Sequence, residues 1–304
     1  MKNSLLVLTL GLIVASASAN NVSAQISSND LNIQGDAFGN SIRVDRTING
    51  VLITGLNGTL VNGLPSVRLL SGPLVNITAQ MDGGNDSVLL RNMGSLGDVI
   101  IEAGQGNDTL TVQGSNSSAN FNLKGEEGND TLTVSNSFAS GDIALDGGQG
   151  ANVMRGLVST SGYNFSAIGG ELVDRVELSR LTVGGNLEVF ADKGDDIVTA
   201  ATITTGLSGF FSTDSGNDRV TVTDMRSAED FKVETGDQND IVSLLRVSAL
   251  KNIGISLDAG TDTLRATTVS AGLDAIAIGG AGIDTFIRSG FAGRVKTEVV
   301  EFER

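Results

Sequence analysis

The sequence predicts an all-β fold: a single-stranded parallel β-helix of ten 22-residue coils with a small N-terminal β cap. Three observations predict it. An acidic position recurs at Asp86, Asp108, Asp130, Asn152, Asp174, Asp196, Asp218, Asp240, Asp262 and Asp284, spaced by 22 residues without one insertion. Within each repeat, apolar and polar residues alternate, which is the period of a strand with one buried side and not of a helix. The chain is also rich in turn formers and poor in bulk, with 40 glycines among 304 residues and only 4% aromatic side chains. A 22-residue unit cannot bury its apolar side alone, whereas stacked units bury a continuous core. Ten coils spaced by about 4.8 Å make a rod of roughly 45–50 Å. A β-sandwich, with turns every ~8–12 residues and uneven strand lengths, does not hold one period over ten units.

Taken in order, residues 1–24 read as a secretory leader. Lys2 precedes the apolar run SLLVLTLGLIVASA, and Ala17-Ser18-Ala19 and Val22-Ser23-Ala24 are both small-x-small cleavage sites. The run is shorter than the ~20 residues a membrane-spanning helix needs. The mature chain is therefore expected to be secreted or at the cell surface, with no transmembrane segment after leader removal. Residues 25–75 fall outside the clean register. Ile42, Val44 and Ile48 alternate up to a hairpin turn at Asn49-Gly50, and Val51-Leu52-Ile53 follows. This segment reads as a cap on the first coil.

Residues 76–293 form the β-helix. Two residues before the acidic position stands Gly84, Gly106, Gly128, Gly150, Gly194, Gly216, Gly260 or Gly282, replaced by Leu172 and Gln238 in two repeats. Two and four residues after it come apolar pairs such as Val88/Leu90, Leu110/Val112 and Val220/Val222. A second alternating strand precedes the loop, as in Val99/Ile101, Phe121/Leu123 and Phe231/Val233. An Asx column opens that strand at Asn76, Asp98, Asn120, Asp142, Asn164, Asn186, Asp230, Asn252 and Asp274, and a weaker apolar column runs through Met93, Leu181, Ile203, Met225, Val247, Val269 and Phe291. Each coil thus holds two strong strands and a weak one. Residues 294–304 make a charged capping strand, the usual remedy for an open solenoid end.

Composition also excludes chemistry. The chain has no Cys and no His. Disulfides, zinc-thiolate sites, cysteine nucleophiles and imidazole acid/base catalysis are therefore ruled out. A net charge of −15 argues against a nucleic-acid partner, because phosphate affinity rests on Lys and Arg.

The acidic column carries the remaining chemistry. Gly279-Gly280-Ala281-Gly282-Ile283-Asp284-Thr285-Phe286-Ile287, Ala103-Gly104-Gln105-Gly106-Asn107-Asp108-Thr109-Leu110-Thr111 and Gly147-Gly148-Gln149-Gly150-Ala151-Asn152-Val153-Met154-Arg155 resemble the haemolysin-type, or repeats-in-toxin, calcium-binding nonapeptide G-G-x-G-x-D-x-U-x. The resemblance implies calcium held by Asp carboxylates and loop carbonyls of stacked turns. The motif recurs here once per 22 residues and not in tandem, so it implies one cation-binding edge on a β-helix. Its carboxylates come from Asp86, Asp108, Asp130, Asp196, Asp218, Asp240, Asp262 and Asp284. Electrostatics points the same way. Adjacent carboxylates about 5 Å apart repel by roughly 3 kcal/mol at an effective dielectric of 20, which Asn would avoid and a hard divalent cation converts into binding. The competing interpretation is a purely structural ladder in which Gly supplies positive φ and Asp accepts N–H bonds of the turn.

The functional expectation is a calcium-binding structural or adhesive protein of the cell exterior, with Ca²⁺ and extracellular polysaccharide or cell-surface components as partners. The alternative is a β-helix enzyme, a lyase or hydrolase of acidic polysaccharide. Arg155, Arg175, Glu177, Arg180 and Arg219 cluster on neighbouring rungs for such a role, but Arg155 beside Glu177 reads as an ion pair. Ten repeats without an insertion also offer no loop to build a cleft. The exposed threonines Thr109, Thr111, Thr131 and Thr133 suggest an ice-matching array, which Arg155, Arg175 and Glu177 interrupt.

Overall fold

The computed structural model describes residues 20–303. Most of the expected leader, with its first cleavage site, lies outside them. From Ile77 onward the chain winds as a parallel solenoid in which every strand pairs with its counterpart 22 residues away, for example Val99 with Phe121 and Leu110 with Leu132. The first regular coil shows the plan. β7 (Ile77–Gln80) leads into the Gly-Asn-Asp loop, then β8 (Ser87–Arg91) and the short β9 (Gly94–Ser95) follow. β7 and its successors belong to one sheet of 14 strands, and β8, β9 and theirs to a second of 17, each completed by three strands of the N-terminal segment.

The core lies between the sheets and is made of the columns that alternation predicts. Val88, Leu90, Val99, Ile101, Leu110 and Val112 are all buried, as are Met93, Leu181, Ile203 and Met225 of the weaker column. Each such side chain contributes about 1.5–3 kcal/mol on leaving water. Bulk on one sheet is matched by its absence on the facing one. A Cβ on Gly156 would come within 2.6 Å of Phe165, and one on Gly209 within 2.2 Å of Met225. The gap in the weak column between Met93 and Leu181 is filled by serines. The N–H groups of Met93, Ser115 and Ser137 donate to the hydroxyls of Ser115, Ser137 and Ser159 one coil on. From Arg175–Val183 onward the second and third strands of a coil fuse into nine-residue strands. Each bends at one residue of positive φ, at Arg180, Thr202, Asp224, Arg246, Thr268 or Gly290.

The N-terminal segment is more solenoid-like than its sequence suggests. β1 (Asn21–Ser27) and β2 (Asp30–Gln34) form an antiparallel hairpin, but β2 continues the first sheet in parallel with β7. β3 (Ser41–Thr47) likewise runs parallel to β8, pairing Ile42 with Val88. The expected hairpin is present as β3 and β4 (Gly50–Gly55), joined at Ile48-Asn49, and β5 (Leu60–Val61) and β6 (Ser66–Leu70) complete the insertion. The cap is thus a coil interrupted by an antiparallel sheet. At the other end, Lys296–Val300 pairs in parallel with Asp274–Ile278. No helix among the described residues is long and apolar enough to cross a membrane.

Candidate metal centre

The tight loop between the two strong strands fixes the acidic column. Gly106 and Gly128 have φ of 136° and 134°, and a Cβ on Gly128 would stand 1.5 Å from the carbonyl oxygen of Gly106. Glycine therefore recurs because carbonyls stack along the rod at this corner. The following Asn-Asp pair splits across the sheet surface, since successive residues face opposite sides. Asn85, Asn107 and Asn129 are exposed, whereas Asp86, Asp108 and Asp130 are 1–2% exposed.

The buried carboxylates form a ladder. Each backbone N–H in the column donates to the side-chain oxygen of its counterpart on the next coil, at 2.5–2.9 Å, from Asp86 through Asp262. Two residues that sequence reading left out close its ends. Asn40 supplies a first rung by donating its N–H to Asp86 Oδ1, and Asp284 N–H donates to Glu303 Oε2 after the C-terminal segment folds back. Asn40 carries a readable signal, because Asn40-Ser41-Ile42-Arg43-Val44 repeats the pattern of Asp86-Ser87-Val88-Leu89-Leu90. Glu303 carries none, since it is neither Asx nor in register. The exposed Asn column and the Asx column run the other way, each N–H donating to the preceding coil, as from Asn107 to Asn85 and from Asp98 to Asn76.

One oxygen of each ladder carboxylate is accounted for; the other decides the chemistry. Oδ2 of Asp86, Asp108, Asp130, Asp196, Asp218, Asp240, Asp262 and Asp284 is buried without a hydrogen-bond partner, and the Thr213 and Thr235 hydroxyls beside Asp218 and Asp240 donate to the carbonyls of Thr235 and Leu257 instead. These are the eight carboxylates the loop motif singles out. The two remaining rungs show what the position requires. Asn152 Nδ2 donates to the carbonyls of Gly148 and Gly150, at 3.3 and 3.2 Å. Asp174 Oδ2 instead accepts from Gly170 N–H, at 2.6 Å. Where the second atom is a donor, as at Asn152, loop carbonyls receive it; at the eight other rungs it is a carboxylate oxygen buried without a donor, a conflict between burial and charge. A proton or a cation resolves that conflict. Burial is the largest cause of the resulting pKa shifts. It pushes Asp86 and Asp196 up to about 8, Asp240 to about 7 and Asp130, Asp218 and Asp262 to about 6, against the opposing pull of the ladder N–H bonds.

The donor set, carboxylate and carbonyl oxygen only, suits a hard cation such as Ca²⁺. Among the described residues no three acidic side chains converge on one point, so backbone carbonyls have to complete any shell. Compared with known proteins, the chain matches no family model, no curated protein and no solved structure. The arginine cluster on the outer face is arranged for ion pairing: Arg155 and Arg175 both donate to Glu177 and hold its carboxyl below the usual carboxylate range.

Proposed function

We propose that this chain is a secreted, calcium-binding β-helix that serves as a structural or adhesive component of the cell exterior. The observation that carries this reading is the row of eight buried, unpartnered Oδ2 atoms. A structural ladder needs only one oxygen per rung, and Asn152 shows that an amide satisfies both. A second carboxylate oxygen buried without a donor has a physical rationale if a cation sits there. Asp86 to Asp130 and Asp196 to Asp284 supply the carboxylates, and loop carbonyls complete the shell. The leader-like N-terminus and the resemblance of the loops to the haemolysin-type nonapeptide support the same reading. The regular outer faces suit contact with extracellular polysaccharide or cell-surface components.

Calcium titration of the mature chain tests it. A ligand bound only by the native state adds RT ln(1 + [L]/Kd), roughly 2.7 kcal/mol per site at 100 Kd. Chelation should lower the melting temperature, calcium should restore it, and sodium should do so poorly. Asp108→Asn together with Asp130→Asn should weaken the calcium response. If that double variant melts above the parent in millimolar calcium, the calcium reading is overturned and the column is a structural ladder alone.

A further inference from the structure

We infer that Asn152 and Asp174 divide the cation row into two stores that load independently, one at Asp86, Asp108 and Asp130 and the other at Asp196 through Asp284. The inference rests on the calcium reading and adds an organisation to it. Both dividing rungs are closed by the chain itself. The Asn152 amide takes up the carbonyls of Gly148 and Gly150. Asp174 Oδ2 is taken by Gly170 N–H. Their loops also differ from most others, with Ala151 where most rungs have Asn or Asp and Leu172 where all but the Gln238 loop have Gly. The hydrogen-bond ladder itself runs unbroken through both rungs, so the fold is continuous where the row of free oxygens is not.

Distance and a neutral rung separate the two stores. Adjacent rungs are one strand spacing apart, about 4.8 Å, close enough for their carboxylates to repel strongly. Loading one rung relieves that repulsion and weakens its neighbour's pull on a second cation, so rungs within a store are coupled. Asp130 and Asp196 are three coils apart, roughly 14 Å, so their direct Coulomb coupling falls to about a third of that between adjacent rungs. Asn152 carries no charge to relay between them.

Hydrogen exchange of the full chain, read coil by coil by mass spectrometry with Ca²⁺ or with chelator, tests the division. Asn occupies the column naturally at Asn152, so Asp→Asn variants keep the ladder bond and should fold. At about 10 Kd of calcium, exchange in both stores of the parent should slow about tenfold. In Asp108→Asn/Asp130→Asn that slowing should vanish over residues 86–135 and persist over 196–290; Asp218→Asn/Asp240→Asn should do the reverse. Asn152→Asp reopens a rung and should extend calcium-dependent slowing to residues 147–157; no slowing there would show that the amide is not what closes the row. If calcium slows exchange in the parent but either double variant loses the effect in both stores, the division is wrong and the calcium reading stands. If calcium slows exchange nowhere in the parent, both are wrong.

Discussion

At the scale of single residues, the corner of each coil shows which side chains are dictated by backbone and which by chemistry. Gly128 has φ of 134° and the stacked carbonyl of Gly106 where a Cβ would be. Gly128→Ala should therefore cost ~2–3 kcal/mol through backbone strain, measured by chemical denaturation in chelator so that cation loading does not enter. Gly94 is the control: nothing lies within 4 Å of its would-be Cβ, and Gly94→Ala should be neutral or stabilise by up to about 1 kcal/mol. Equal losses from both would mean that loop geometry is not what selects glycine. The bend column makes the opposite kind of prediction. Asn92, Gly114 and Asn136 tolerate left-handed φ, but the β-branched Val158 holds φ of 52° in the same column while being 41% exposed. Val158→Asn should raise stability by ~1 kcal/mol, detected as a later denaturation midpoint with unchanged slope.

At the scale of the element, the ladder titrates against the usual direction. Burial pushes Asp86, Asp130, Asp196, Asp218, Asp240 and Asp262 up to about 6 to 8, above an unfolded value near 4. A raised acid binds more protons in the native state, so its contribution to stability is complete below the unfolded pKa and is lost as pH rises through the folded one. In chelator the melting temperature should fall between pH 5 and 8, where most soluble proteins are near their maximum. Saturating calcium should flatten or reverse that slope, because the cation needs the ionised form. A melting temperature independent of pH in chelator would show that burial does not hold these carboxyls above the usual range. The strand columns and the acidic spacing were legible in the sequence because alternation and a fixed period report directly on burial. The facing of the Asp was not. Asn107 and Asp108 are adjacent polar residues, and only the turn geometry sends one to solvent and the other inside. Asn40 was obscured because a hairpin insertion shifts its spacing to Asp86 to 46 residues, and Glu303 because a folded-back terminus leaves no periodic trace.

At the scale of the whole molecule, stability is close to a sum of coil terms and coil-to-coil interfaces, and the two ends are where the sum can fail. At the N-terminus, Val22 and Ala24 are buried, and the carbonyl of Asn20 accepts from Leu60 N–H. Of the two candidate leader cleavage sites, the one after Ala19 leaves β1 whole, and the one after Ala24 removes two core side chains. An exported product should accordingly begin at Asn20 when its terminus is sequenced; a start at Gln25 would mean that β1 is dispensable. In the interior, register is what the sum depends on. Val220 and Val222 face the core and Thr221 between them does not, so deleting Val220 turns the rest of that strand inside out before the next loop can absorb the slip. Deleting residues 109–130 removes a full period and joins Asp108 to Thr131. The next coil then presents Thr131, Leu132 and Thr133 where Thr109, Leu110 and Thr111 stood, and Asn152 accepts the N–H of Asp108 in place of that of Asp130. The 22-residue deletion should keep one cooperative thermal transition at a slightly lower temperature, whereas the one-residue deletion should broaden the transition or lower it far more. Equal effects would mean that the coils are not interchangeable units, and the additive description of the rod would have to be given up.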